Sequence, residues 1–417
     1  MQTHLAEFIQ SSSDGVEAES ILRKCVHCGF CSATCPTYQL VGDELDSPRG
    51  RIYLIKQMLE GAPTTASTRA HLDRCLTCRA CETTCPSGVQ YGHLVDIGRA
   101  VAERLAPRPW YERLVRSALA AVCSRTALFG TFLTLGRLVR PVLPALLRQA
   151  IPPAASPAGP WPAARHPRRM IALAGCVQPV LGPDINAATA RVLDRAGISL
   201  LEAPAAQCCG SLRHHMTQPE AALDDMRAMI DAWWPLIEAG VEAIVMTASG
   251  CGSTVRDYGH LLRDDPLYRD KAARVSAMTR DLIEVVESAP QLTELAAGLA
   301  PHRVAFQIPC SLQHGQALRA RAERVLASLG FVLQPVVDSH LCCGSAGVYS
   351  VLQPGLSNRL REAKLAALQA SGAAQILTAN IGCMAHLAAA ERLPVDHWIV
   401  VLDQRLQARQ ASARGPG

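Results

Sequence analysis

The sequence predicts a multidomain α+β protein, in which a small, mostly helical N-terminal domain precedes an α/β domain that occurs twice. Three observations support this fold class. Two cysteine runs of identical spacing lie among helical apolar patterns in the first 100 residues. Beyond residue 168, short strand-like runs alternate with long helical patterns, and a second, wider cysteine pattern occurs there twice. Strand–helix alternation is typical of α/β domains with a mainly parallel sheet.

The expected division has four parts, and a chain of 417 residues is long enough for several domains. Residues 1–103 hold both cysteine runs. Residues 104–167 comprise a basic amphipathic segment and a linker with six prolines between Pro152 and Pro167, a composition that favours an extended, semi-rigid chain. Residues 168–300 and 301–417 are the two copies of the α/β unit.

The two cysteine runs both read C-x2-C-x2-C-x3-C-P, in KCVHCGFCSATCP and in RCLTCRACETTCP. This spacing holds [4Fe–4S] clusters in bacterial ferredoxins, where the fourth cysteine ligates the neighbouring cluster. We therefore predict a helical two-cluster ferredoxin domain with crossed ligands. Cluster 1 is assigned to Cys25, Cys28, Cys31 and Cys85, and cluster 2 to Cys35, Cys75, Cys78 and Cys81.

A pair of structural zinc sites is the alternative, because four-cysteine zinc sites also use C-x2-C pairs. Zinc motifs usually separate their two pairs by a loop, whereas three cysteines in each run here follow unbroken steps of three. The spacing therefore favours iron–sulfur clusters.

Between the runs, PRGRIYLIKQMLEG has helical apolar spacing that Gly61 ends, and EAESILRK before the first run is predicted as a short helix. Arg49 and Arg51 lie in the longer of these segments. Two interpretations are open: their charges offset the anionic clusters, or they are ordinary surface arginines at a domain edge.

The second half carries a duplicated C…CCG…C pattern. Cys176 precedes the pair Cys208–Cys209 by 31 residues, and Cys310 precedes Cys342–Cys343 by the same 31. Each pair is followed by glycine and, further on, by Cys251 or Cys383. Because the outer cysteines follow strand-like runs, and the carboxyl ends of parallel strands converge, each CCG unit is expected to gather four thiols at one site. Buried structural cysteines, or a metal or further cluster in at least one unit, are the alternatives.

Other candidates carry weaker signals. His214, His215, His314 and His386 lie near the CCG cysteines as ligands or proton carriers, although hydrogen-bonded structural histidines are the commoner case. Cys123, within an apolar helical run, is interpreted as a core residue.

The net charge of +5 is unevenly placed, since Arg104 to Ile151 carries eight arginines and one glutamate. The segment is apolar between its arginines, notably in Ser117–Ser124 and Thr126–Gly136. Two interpretations are open: a pair of helices whose apolar sides pack on the cluster domain, or a basic amphipathic stretch lying on an anionic membrane surface.

Several function classes lack support. No Gly-rich dinucleotide fingerprint, G-x-S-x-G or H-E-x-x-H motif is present, and no lysine cluster interleaves with aromatic residues as in nucleic-acid binding. The start MQTHLAEFIQ lacks a signal peptide's basic and apolar regions, and no transmembrane run is visible. Seventeen cysteines at metal-ligand spacings then fit a reducing cytosol.

The complete pattern resembles the iron–sulfur subunits of flavin-dependent dehydrogenases, and in its second half the heterodisulfide reductases. It is most similar to the iron–sulfur subunits of bacterial glycolate oxidase (glycolate dehydrogenase). The segments that carry this resemblance span the chain: CVHCGFCSATCPTYQLVGDELDSPRGRIYLIKQ, HLDRCLTCRACETTCPSGV, NAATARVLDRAGI, IDAWWPLIEAG, TASGCGS, SLQHGQ, DSHLCCGSAG and TANIGC.

The resemblance implies that flavoprotein partner subunits, which carry the flavin, oxidise glycolate to glyoxylate, and that this chain passes the electrons to a membrane acceptor such as quinone. It implies a cytoplasmic protein held peripherally on the inner membrane's cytoplasmic face and not catalytic alone. The alternatives are an iron–sulfur subunit of a lactate or glycerol 3-phosphate dehydrogenase and a heterodisulfide reductase-like catalytic subunit. The last is disfavoured because the units end in CGST and CMAH rather than in C-x2-C.

Overall fold

The computed structural model describes residues 1–144 and 151–414. Its N-terminal part is helical, with two short 3₁₀ turns at Phe30–Thr34 and Glu44–Asp46. The first nine α-helices are α1 (Glu7–Gln10), α2 (Ser13–Lys24), α3 (Pro36–Val41), α4 (Pro48–Leu59), α5 (Ala66–Asp73), α6 (Ala80–Thr84), α7 (Tyr91–Leu105), α8 (Trp110–Cys123) and α9 (Thr126–Val139).

Helix α4 begins where the sequence predicts. The side chain of Ser47 accepts a hydrogen bond from the Gly50 N–H, and Pro48 stands in the first turn, where its missing N–H costs nothing. Its apolar face packs on α7, where a Cβ on Gly98 would lie 2.6 Å from Ile55 Cγ1. Only glycine therefore allows this close contact between the helices that frame the cysteine runs.

Helices α8 and α9 form a hairpin that leaves its apolar side in solvent. Of the 22 large apolar side chains exposed in the described part of the chain, ten lie between Trp110 and Val142. Within α8 and α9 only Ala120 is buried. The interpretation that these helices pack their apolar sides on the cluster domain is therefore wrong; part of the basic segment, residues 145–150, lies outside the described residues.

No single helix in the two described ranges is both long and apolar enough to cross a membrane. The hairpin passes that test only as a pair of helices, Trp110–Cys123 with Thr126–Val142, that is bent by 101° at the break between them.

The second half contains two four-stranded sheets of the same topology. All of their strand pairs are parallel, in the order β2-β1-β3-β4 and β6-β5-β7-β8. The strands are β1 (Arg168–Ala172), β2 (Ile198–Leu201), β3 (Ile244–Met246), β4 (Thr279–Asp281), β5 (His302–Gln307), β6 (Phe331–Leu333), β7 (Ile376–Thr378) and β8 (Val395–His397).

The helices between these strands cover the sheets. They span Gln178–Leu181, Asp184–Arg195, Ser211–His215, Pro219–Glu238, Ser249–Arg256, Tyr258–Leu261, Arg269–Met278, Leu282–Glu287, Pro290–Ala296, Arg319–Ser328, Tyr349–Leu352, Pro354–Ala370, Ile381–Ala388 and Trp398–Arg414. Both repeats therefore have the predicted α/β character, and the predicted fold class, a helical domain followed by a duplicated α/β unit, is confirmed.

The two α/β units share one apolar core. Buried side chains from both sheets form a single cluster, which includes Val245 of the first unit and Trp398 of the second. The C-terminal helix Trp398–Arg414 packs on the first unit, where the buried Asp403 pairs with Arg191 and Arg195, each at 2.7 Å. The predicted division at residue 300 remains a prediction, because the packing itself joins the two sides.

The helical domain contacts both α/β units. Towards the first, His214 Nε2 lies 3.2 Å from Asp96 Oδ2, and Arg263 pairs with Asp14 at 3.0 Å. Towards the second, the Tyr349 hydroxyl donates to the Arg74 carbonyl at 3.1 Å. These contacts fix how the cysteine sites of the three parts face one another.

Candidate iron–sulfur centres

The cysteine runs surround two adjacent cavities. A cavity of about 430 Å³ is lined by Cys25, Cys28, Cys31 and Cys85, and also by Cys81, which lines the second cavity as well. Burial and the neighbouring Cys25, Cys28 and Cys85 raise the pKa of Cys31 to about 11. Thiolates at such a position require a bound cation, because iron binding supplies the charge that solvent cannot. The chain thus brings together the four cysteines predicted for cluster 1.

A second cavity of about 290 Å³ is lined by Cys35, Cys75, Cys78 and Cys81. Cys35 comes from the first run and the other three from the second, as the crossed arrangement predicts. Burial, followed by the charges of Cys78, Cys75 and Cys35, raises the pKa of Cys81 well above its ordinary value. The ligand assignment itself stays a prediction, which the grouping of the thiols supports.

The spacing of the sulfur atoms fits a cluster better than zinc. Among residues 1–144 and 151–414, no three of these cysteines have Sγ atoms that all lie within 4.8 Å of one another. Tetrahedral zinc with Zn–S bonds of about 2.3 Å needs sulfurs about 3.8 Å apart. When bound, a [4Fe–4S] cluster accepts and releases one electron at a time at a potential set by charge, hydrogen bonds and burial.

A buried ionic network stands behind the second cavity. Arg51 is 1% exposed, and its Nη1 lies 4.0 Å from Cys35 Sγ. Its Nη2 pairs with the buried Asp46 at 3.2 Å, and Asp46 also contacts His71 and Arg74. Arg51 is therefore not a surface arginine, and its charge faces a cluster ligand. Arg49 is partly exposed and pairs with Glu44 at 2.7 Å, but it also lines the first cavity, so both interpretations apply to it.

The CCG cysteines form one row in each α/β unit. In the second unit Cys310 Sγ lies 4.0 Å from Cys342 Sγ, and the row continues from Cys343 to Cys383. The first unit repeats this order, with Cys176 beside Cys208, and Cys209 beside Cys208 and Cys251. The outer cysteines follow the carboxyl ends of the central strands, so the predicted gathering of four thiols occurs twice.

The glycine after each cysteine pair lets the row approach a helix. Gly344 has φ +90°, and a Cβ there would lie 2.6 Å from the Ser357 carbonyl oxygen. Gly210 has φ +78°, and a Cβ there would lie 2.7 Å from the Ala222 carbonyl oxygen. A left-handed backbone in such close contact requires glycine at both positions.

The histidines near these rows are held by protein partners. His214 and His215 face Asp96, at 3.2 and 3.8 Å. His314 Nδ1 lies 2.9 Å from Thr83 Oγ1, and His386 Nε2 lies 3.3 Å from Ser357 Oγ. These contacts agree with structural histidines. Cys123 is half-buried at the end of α8 and has Cys208 as a charged neighbour, so it lies at an interface rather than in a core.

Several residues at the sites gave no clear sequence signal. The Tyr91 hydroxyl donates to Cys75 Sγ at 3.6 Å. In the second unit the buried Lys364 donates to the Asp338 carbonyl at 2.8 Å, and the CCG thiols contribute to its electrostatic environment. Asp46 is the exception, because its position directly before the Ser-Pro start of α4 is visible in the sequence.

These thiol sets define an iron–sulfur protein with a ferredoxin-type two-cluster domain joined to a duplicated cysteine-rich domain. A family model described as a 4Fe-4S dicluster domain matches residues 21–89, and one described as a cysteine-rich domain matches 171–256 and 304–388. The cofactors are therefore [4Fe–4S] clusters, as the cysteine spacing predicts.

Whole-chain comparisons narrow this class. The chain is 53% identical over 407 residues to the glycolate oxidase iron-sulfur subunit of Escherichia coli K12, covering 98% of this chain and all of that protein. It is 31% identical over 397 residues to a probable glycolate oxidase iron-sulfur subunit of Bacillus subtilis 168, covering 88% of each. It therefore belongs to the family of glycolate oxidase iron–sulfur subunits. Lactate utilization protein A of an Exiguobacterium strain is 25% identical over 213 residues, 51% of this chain and 85% of that protein.

Proposed function

We propose that this chain is the iron–sulfur electron-transfer subunit of a complex that oxidises glycolate to glyoxylate. The main support for this proposal is the pair of adjacent cavities lined by the ferredoxin cysteines. Full-length similarity to a glycolate oxidase iron-sulfur subunit also supports it. Flavoprotein partners remove two electrons from the substrate, and this chain carries the electrons away singly.

The partner docks over cluster 1. Cys28 is exposed, whereas Cys35, Cys75 and Cys81 of the other set are buried. Two apolar side chains beside Cys28, Val26 and Phe30, are 68% and 61% exposed. Apolar side chains around an exposed cluster ligand suit a protein interface that excludes water. Electrons therefore enter at cluster 1.

The complex is held peripherally on the cytoplasmic face of the inner membrane by the hairpin α8–α9. Trp110, Leu114, Phe132 and Leu135 are at least 55% exposed, and they recur at helical spacing along the two helices. Three arginines of the same region, Arg104, Arg113 and Arg125, are also exposed. Apolar insertion supported by basic charge, at roughly 1 kcal/mol per arginine near anionic lipid, suits a helix pair lying in the interface. The acceptor is a lipid-soluble quinone.

Copurification with a flavin-containing partner, followed by glycolate and lactate assays, tests the main proposal. We expect glycolate-dependent reduction of both clusters in the complex and no turnover by this chain alone. Glycolate oxidation by the isolated chain would overturn the assignment, and a complex active on lactate only would replace the substrate. Analysis of anaerobically purified protein should find at least about eight irons with acid-labile sulfide, enough for two cubes; stoichiometric zinc without sulfide would reject the redox function.

Membrane binding is tested by flotation with anionic vesicles. Replacing Leu114, Phe132 and Leu135 by Gln should abolish flotation at low salt. The control replaces Leu267 and Val337, which are more exposed than these three residues but lie outside the hairpin. Two arginines of the basic segment are unsuitable for the test: Arg116 lies 3.4 Å from Asp73, and Arg137 donates to the Pro152 carbonyl at 3.2 Å. Unchanged flotation of the triple variant would assign the anchor to a partner protein.

A further inference from the structure

The thiol row of the second CCG unit lies against cluster 2. Cys342 is buried in a small apolar cluster with Leu76, and Cys78 and Cys310 pack against the same cluster. A ligand of cluster 2 and two thiols of the second row therefore share one water-poor patch.

The row of the first CCG unit faces a different part of the molecule, the hairpin. Cys208 contributes to the electrostatic environment of Cys123 at the end of α8. Beside them Arg213 Nη2 donates to Ser124 Oγ at 3.2 Å, and the Thr126 hydroxyl donates to the Gly175 carbonyl at 3.5 Å. Gly175 directly precedes Cys176, the first thiol of this row. The row thus adjoins the turn that joins α8 to α9.

The two rows are joined directly across the shared core. Ser249 Oγ lies 2.8 Å from Ser311 Oγ, and Ser311 follows Cys310. On the other side, the Asn380 amide donates to Cys383 Sγ at 3.5 Å, while its oxygen accepts from the Gly250 N–H at 3.4 Å. Gly250 precedes Cys251. Residues one or two positions from a cysteine of one row are therefore hydrogen-bonded to residues beside the other row.

We infer that the two CCG units act in series: the second receives electrons from cluster 2, and the first delivers them at the hairpin. The inference rests on the proposed function, because it uses the electron source and the membrane acceptor named there. Two sequence-similar units thus have different tasks, which their different neighbours decide.

The electrons that this series carries are conserved in the reaction proposed for the complex. The partner flavin takes two electrons from the CH–OH group of glycolate, and a quinone takes two electrons and two protons from water to give the quinol. The eight cysteines of the two rows, five of them buried and three half-buried, would supply thiol ligands for one-electron centres between these two-electron partners. No other oxidant or reductant is needed.

The test uses the glycolate-reduced complex in quinone-containing vesicles, followed by freeze-quench electron paramagnetic resonance. Cys342→Ser should leave clusters 1 and 2 reduced, leave the first row oxidised and slow quinone reduction at least 100-fold. Cys208→Ser should leave both clusters and the second row reduced, with the same loss of quinone reduction. Glycolate should reduce clusters 1 and 2 within twofold of the wild-type rate in both variants, which shows that the complex is intact upstream of the rows.

Asn380→Leu keeps all eight CCG thiols and removes the link between the rows; we expect it to slow reduction of the first row but not of the second. Reduction of the first row in Cys342→Ser at the wild-type rate would overturn the series. Wild-type complex in which glycolate reduces the clusters and both rows, but no quinone is reduced, would instead reject the proposed acceptor, while the order in which the two rows are reduced would still decide the series.

Discussion

The guanidinium of Arg51 lies behind the thiol of Cys35, with Nη1 4.0 Å from Sγ. The arginine is buried, its Nε donates to the His71 carbonyl at 2.7 Å, and its charge is shared with Asp46. A cation held at this distance in a dry site stabilises the more negative, reduced form of whatever Cys35 ligates. The two proposed clusters therefore differ in their electrostatic surroundings.

Arg51→Met should lower the midpoint potential of cluster 2 by roughly 70 to 100 mV, the scale that Coulomb's law gives for one charge some 7 to 10 Å away at an effective dielectric of 20. Arg51→Lys retains the charge and should shift the potential much less. Arg49→Met, at the partly exposed arginine, is the matched control. A redox titration monitored by electron paramagnetic resonance measures all three. Equal potentials in Arg51→Met and the wild type would show that Asp46 and its partners already cancel the charge.

The crossed ligand sets predict which cluster each variant damages. Cys35→Ser should impair the cluster of Cys75, Cys78 and Cys81, although Cys35 belongs to the first run. Cys85→Ser should impair the cluster of the first run instead. Spectroscopy of the two variants distinguishes the clusters, and Cys123→Ser, outside both cavities, is the control. If each run loses its own cluster, the assignment is wrong.

The contact between the helical domain and the first CCG unit should weaken at alkaline pH. Burial alone would lower the pKa of His93, but Asp257, 4.0 Å from its Nε2, and Glu17, 3.0 Å from its Nδ1, raise it to about 9. A histidine whose pKa is raised on folding stabilises the protein fully below its unfolded pKa, near 6.5, and loses this contribution as pH rises through about 9. Burial and the nearby charge of His93 lower the pKa of the stacked His260, so His260 is neutral in this pH range and adds no change of its own.

We therefore expect hydrogen exchange at this interface to rise between pH 6.5 and 9.5, after correction for intrinsic rates, with a loss on the order of 1–2 kcal/mol. The Asp96–His214 pair contributes in the same direction. Burial would lower the pKa of His214, but the carboxylate of Asp96 raises it. His93→Gln should flatten the dependence. A flat profile in the wild type would mean that His93 is neutral in the folded protein.

Gly344→Ala should destabilise the second CCG unit by about 2–3 kcal/mol, because it combines an unfavourable φ with a backbone clash. The control Gly372→Ala has φ +73° and open space around the added Cβ. It should cost about 1 kcal/mol, for the backbone conformation alone. Denaturant midpoints of the two variants measure the difference. Equal midpoints would show that the helix Pro354–Ala370 moves away at little cost.

Local patterns predicted much of this molecule. Cysteine spacing indicated both the crossed cavities and the two rows, because ligand sets on short loops and at strand ends have short-range signatures. The joining of the parts had no such signature: the hydrogen bond from Tyr349 to Arg74 spans 275 residues. The burial of Arg51 was equally invisible, since it depends on Cys35, Thr37 and His71, which lie 14 to 20 residues away along the chain. The hairpin's apolar pattern is the same for a buried and an exposed helix, so only packing could decide between them.

The patch shared by Cys78, Cys310 and Cys342 has a consequence for biogenesis. Once the second CCG unit has docked, Leu76 and its apolar neighbours close the side of the second cavity that faces this unit. Cys28 of the first cavity, by contrast, stays open to solvent. A scaffold protein delivering iron and sulfide can therefore reach cluster 2 readily only before docking. Because the N-terminal domain leaves the ribosome first, the order of synthesis itself provides the interval in which the inner cluster is inserted.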